Sequence, residues 1–110
     1  MADVNLILKE IGLPCAYHHF KPYKNKPLPE PPYIIWYIDD EHHFGSDDKN
    51  FLKRQNITIE LYSRTKDRKT ELKIENSLNF IEFDKWEEYI DSEKLYLTSY
   101  EFEITSKLEE

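Results

Sequence analysis

The apolar residues of the chain change period several times, and each change marks the border of an element. Asp3 is placed to cap a short helix in which Val4, Ile7, Leu8 and Ile11 recur at helical spacing, with Gly12 and Pro14 as stop signals. "CAYHHF" (15–20) predicts a short strand. "KPYKNKPLPEPP" follows, where Pro22, Pro27, Pro29, Pro31 and Pro32 remove backbone donors, so the segment predicts a connector or a sheet edge.

"YIIWYI" (33–38) is apolar on both sides at period two, with Tyr33, Ile35 and Tyr37 opposite Ile34, Trp36 and Ile38. This predicts a strand covered on both faces, and another subunit is one candidate cover. "FLKRQNITIELYS" (51–63) alternates, placing Ile57, Ile59 and Leu61 inward and Asn56, Thr58 and Glu60 outward. In "DRKTELKIENSLN" (67–79) the period returns to that of a helix, with Asp67 as cap and Ile74, Leu78 and Ile81 on one stripe that Leu72 does not join.

"FIEFDKWEEYID" and "KLYLTSYEFEITS" predict a closing hairpin around a polar turn at Asp91 to Glu93. Its second strand carries Tyr96, Thr98, Tyr100, Phe102 and Ile104 on one face and Leu95, Leu97, Ser99, Glu101 and Glu103 on the other. The element order predicts an α+β fold, a mostly antiparallel sheet of four to five strands with two helices packed on one face, in a single domain over residues 1–110.

Between the second and third strands lies "DDEHHFGSDD" (39–48), which gathers five acids, two histidines and a glycine. Its expected form is an exposed loop, with Gly45 supplying a positive φ and Ser46 and the aspartates satisfying turn amides. Asp39, Asp40, Glu41, Asp47 and Asp48 have the chemistry to hold a hard cation but lack the EF-hand spacing. Cys15, His18 or His19, and His42 or His43 have the ligand chemistry for zinc, yet neighbouring residues of a strand point apart, so each histidine pair lends one ring at most. No metal and no cofactor is therefore expected.

A nucleophile turn of the G-x-S-x-G kind is absent, and two glycines, Gly12 and Gly45, do not make a phosphate-cradling loop. The expectation is a protein without catalytic residues. A metal-dependent hydrolase built on the His and Asp stretch is the enzymatic alternative.

Charge narrows the partners. The net charge of −7 argues against general affinity for nucleic acid, and "SRTKDRKTELK", with Arg64, Lys66, Arg68, Lys69 and Lys73, is the one basic patch. Aromatics make up 15% of the chain, and the set Tyr33, Trp36, Tyr37, Trp86, Tyr89, Tyr96, Tyr100 and Phe102 exceeds what a small core hides, which points to an interface. Cys15 is the sole cysteine, so no internal disulfide forms. The N-terminus lacks a secretion signal and no apolar run reaches membrane-spanning length, so synthesis in the cytoplasm and no membrane partner are expected.

The succession "CAYHHFKPYKNKPLPEPPYIIWYIDDEHHFGSDDKNF", "ITIELYSRTKD" and "WEEYIDSEKLYLTSYEFEI" resembles a family of small tail proteins of siphophages and prophages of Gram-positive bacteria, described as tail completion, tail terminator or tail-to-head joining proteins. The resemblance covers nearly the whole chain after the first helix and rests on the order and spacing of these pieces. It implies a structural virion protein at the head-proximal end of the tail, a ring commonly of six copies that stops tube polymerisation. Its partners would be itself, the tail tube protein and the head connector protein, with DNA only as passing cargo.

Under that resemblance Asp39, Asp40, Glu41, His42, His43, Phe44, Asp47 and Asp48 are candidates for partner contact, and Glu101 and Glu103 for an acidic lining that repels passing phosphate. The alternative is a small phage or host adaptor whose aromatics and acids form a binding face.

Overall fold

A computed structural model of the chain describes residues 4–20, 28–46 and 49–108. Val4–Ile11 form helix α1, which buries Val4, Ile7, Leu8 and Ile11 as their spacing predicts. It stops at Gly12, whose φ of 79° reverses the chain at no steric cost and whose amide donates to the Leu8 carbonyl oxygen at 3.3 Å. The expected cap, Asp3, lies outside the described residues, as do Pro22, Pro27, Asp47 and Asp48.

Strand β1 is Cys15–Tyr17, shorter than the expected 15–20 because His18 turns to a φ of 67° and leaves the ladder. β2 is Tyr33–Ser46, β3 Lys49–Ser63, helix α2 Arg68–Ser77, β4 Phe83–Ile90 and β5 Leu95–Lys107. The five strands form one sheet in the order β1-β2-β3-β5-β4, with every pairing antiparallel except β1 to β2. The fold is α+β.

Asp67 caps α2: its Oδ1 accepts from the Thr70 amide at 3.1 Å and its Oδ2 from the Thr70 hydroxyl at 2.7 Å. Ile74 and Leu78 are buried, Ile81 is half-buried, and Leu72, off the stripe, is exposed. Both helices pack on the sheet face that carries Ile34, Ile57, Ile59, Leu61, Tyr100, Phe102 and Ile104. The opposite face of the sheet has no helix on it.

One expectation is overturned. The acidic stretch is not a loop: β2 runs straight through Asp39–Ser46 and pairs with β3 from Ser46↔Lys49 to Asp40↔Asn56. β5 follows alongside to Leu52↔Lys107, and Leu108 donates to the Phe51 carbonyl oxygen at 3.0 Å. The three strands make an arm that reaches past the helices. Polar side chains on both faces hid this strand from the pattern, since alternation is written only where one face meets a core.

Gly45 is needed for a different reason than expected. Its φ is not positive; instead a Cβ there would run into the Lys49 carbonyl oxygen and lie 2.9 Å from both the Asn50 Cα and the Phe51 ring. The register slips at this point, between Phe44 and Gly45, and again between Ile38 and Asp40. At the second slip Asp39 is an extra residue, a β-bulge.

Candidate interaction surface on the open sheet face

The register assigns side chains to the open face row by row. Tyr33, Tyr62, Leu97 and Glu88 form one row; Ile35, Glu60, Ser99 and Trp86 the next; then Tyr37, Thr58, Glu101 and Asp84; then Asp40, Asn56 and Glu103. Out on the arm follow His42, Arg54 and Thr105, then Phe44, Leu52 and Lys107. Aromatic and acidic residues thus share one surface.

Its upper rows are knitted by hydrogen bonds. Tyr37 and Tyr62 donate their hydroxyls to the two Glu60 oxygens at 3.3 and 3.0 Å, and Tyr33 stacks on Tyr62 with ring centroids 5.2 Å apart. Burial, followed by the Glu60 charge, pushes the Tyr37 and Tyr62 phenols above their ordinary range, so both stay protonated as donors. Lower down, Thr58 donates to Asp39 and Asn56 to Asp40, each at 2.6 Å. Because of the bulge, both aspartates face the same side.

The acids lack counter-charges. Among the described residues, the only cation within ion-pair reach of Asp39, Asp40, Glu60, Asp84, Glu88, Glu101 or Glu103 is Arg54, whose Nε lies 4.0 Å from Glu103. Asp84 and Glu101 stand directly opposite on adjacent strands, a like-charge pair that works against the sheet. Beside them a hollow of about 890 Å³ is lined by Asn56, Phe80, Asp84, Glu101 and Glu103. Glu101 and Glu103, named from the resemblance, are therefore joined by Asp39 and Asp40 on one continuous surface.

The other named residues divide. Glu41 and His43 lie on the far side of the arm, where His43 Nε2 is 2.6 Å from Glu41 Oε2 and Gln55 donates to Glu41 Oε1 at 2.5 Å. These bonds, His43 first, hold the Glu41 carboxyl below its ordinary range. His42 stacks on Phe44, centroids 6.0 Å apart. The candidate zinc ligands stay apart: Cys15 and Tyr17 pair with Ile34 and Trp36, and His42 lies six strand residues beyond Trp36, about 20 Å away. Among the described residues no three His, Cys, Asp or Glu side chains come together as a metal site would require.

The basic patch also divides. Arg64 pairs with Glu30, Lys66 with Glu71 and Glu87, and Arg68 approaches Glu71 at 3.7 Å. Sequence reasoning missed the centre of this group, Glu71, which is 1% exposed beneath α2. Its Oε1 accepts from Lys66 at 3.0 Å and lies 2.8 Å from Lys85 Nζ, while Oε2, 2.8 Å from the Lys66 ammonium, is not aligned as a hydrogen bond. Burial pushes the Glu71 carboxyl up, but the two lysines outweigh it and hold it below the ordinary range. The available signal was position: Glu71 stands three residues before Ile74, on the buried stripe.

Comparison with protein-family models and with curated proteins finds no match for the chain. Among the described residues no helix is long and apolar enough to cross a membrane.

Proposed function

We propose that the chain is a structural protein of a siphophage tail, a tail-terminator subunit that caps the head-proximal end of the tail tube, ends its polymerisation and joins it to the head connector. It works as a ring of copies, six by the resemblance in sequence, and DNA crosses the ring as cargo. The reading asks for surfaces rather than reacting groups.

The observation that carries it is the open sheet face, where aromatic rows pass into a band of acids that the fold leaves without cations. Such a band does not hold the chain together, and the Asp84 and Glu101 pair costs it some stability. Facing a channel, it would repel phosphate and keep the duplex from sticking. The aromatic rows supply contact area for protein partners, and the arm, with Asp39 to Phe44 on its leading strand, supplies reach.

The test is assembly in solution. Purified chain added to polymerising tail tube protein is expected to shorten the tubes in proportion to its concentration and to appear as a cap at one end in electron micrographs. Tubes of unchanged length, with no cap at any ratio, reject the reading in favour of the adaptor. A combined Asp39→Lys, Asp40→Lys, Glu101→Lys and Glu103→Lys chain is expected to cap tubes as before yet retain DNA on them.

A further inference from the structure

The arm ends in apolar groups that the fold does not use. Phe51 is 46% exposed, and Phe44 and Leu52, cross-strand partners on the open face, are half-buried on a part of the sheet that no helix covers. Three strands without an apolar cover gain little from reaching so far, and a water-facing aromatic tip adds nothing to their stability. Such a tip calls for a partner.

At the other end of the same face lies a groove of about 630 Å³ lined by Phe20, Leu28, Pro29, Pro31, Ile35 and Leu95. Its mouth carries Glu30, paired with Arg64, and Glu93. The last rows of the arm carry the opposite charge, Arg54 and Lys107. An apolar tip with cations behind it thus matches an apolar groove with acids at its mouth. The two cannot meet within one chain: Tyr33 and Ser46, the ends of β2, are separated by thirteen steps of strand, about 44 Å.

We propose that the arm tip of one copy seats in this groove of a second copy, head to tail. Knob and hole are different patches at opposite ends of the molecule, so the contact is heterologous and each copy offers one of each to its neighbours. Repeated with a closing rotation it makes a ring. The proposal rests on the self-assembly reading above and names the surfaces through which it occurs.

Cross-linking tests it. In chains that carry Cys15→Ser, one variant takes Phe51→Cys and another Leu28→Cys, and the mixture is treated with a short bis-maleimide in the presence and absence of tube protein. A 51-to-28 linked dimer is expected, and a chain with both substitutions is expected to give a ladder of covalent oligomers. Phe51→Asp and, from the groove side, Leu28→Asp, each checked for a native circular dichroism spectrum, are expected to weaken self-association about thirtyfold or more, as loss of a central aromatic anchor does. No 51-to-28 link under either condition overturns the contact, and so does a position-51 cross-link to tube protein alone. If tubes are capped normally without that link, the contact falls and the terminator reading stands; if the ladder forms while tube length is unchanged, the reverse holds.

Discussion

Glu71 and Glu101 are both carboxylates set against the same sheet, and the chain treats them in opposite ways. Glu71, under α2, is buried with Lys66 and Lys85 at 2.8 to 3.0 Å and Arg68 at 3.7 Å, and its neighbour Glu75 accepts from Lys85 and from the Tyr100 hydroxyl, each at 2.9 Å. Glu101, on the open face, is exposed beside Asp84 with no cation near it. A carboxylate out of water survives only if its charge is answered, whereas one in water needs no answer from the fold. The open-face acids are consequently free to serve something outside the chain, and the helix-side acids are not.

Removing the answered charge is the largest expected effect. Glu71→Ala leaves two ammonium groups beneath α2 without their anion and should cost about 3 to 5 kcal/mol, read as a lower urea midpoint at unchanged slope. Glu71 also gives the comparison a pH signature. Its folded carboxyl sits below the ordinary range, so its contribution is complete above the unfolded value and is lost as pH falls through the folded one. The melting temperature should therefore drop on acidification below the ordinary glutamate range, and Glu71→Gln should flatten that slope; an equal slope in the variant contradicts the assignment.

Gly45→Ala comes next. Its methyl would collide with the Lys49 backbone, and a cost of about 2 kcal/mol is expected, with loss of amide protection confined to the arm and none at Ile57 or Ile59. Protection lost throughout would mean that arm and core are one cooperative unit. Tyr100→Phe removes a buried hydroxyl's bond to Glu75 and should cost about 1.5 kcal/mol in chemical denaturation. Smallest, and opposite in sign, is Glu101→Gln: relieving the pair with Asp84 should stabilise the chain by up to about 0.5 kcal/mol at low salt, and the gain should fade as salt is added.

The same contrast explains what could be read from the sequence. Where a face meets the core, the pattern is explicit: Ile57, Ile59 and Leu61 sit inward, the two faces of β5 fall as expected, and Asp67 caps α2. Where a strand leaves the core the pattern is silent, so Asp39 to Ser46 resembled a turn although it is ladder from end to end. The parallel pairing of β1 was equally hidden, because three residues carry no directional signal. Glu71 was overlooked since a lone glutamate on an apolar stripe declares its burial only when Lys66 and Lys85, from either side of α2, are brought to it. Of the acidic band, Glu101 and Glu103 were separated in sequence from Asp39 and Asp40, and the register alone unites them.

The extra residue at Asp39 sets which way everything beyond it looks. Delete that one position and the leading strand of the arm would turn over, sending Glu41 and His43 to the acidic side and His42 and Phe44 to the other, while Ile34 through Ile38 kept their places. A lineage can in this way re-aim its outermost recognition groups by a single codon lost or gained, with the rest of the molecule untouched.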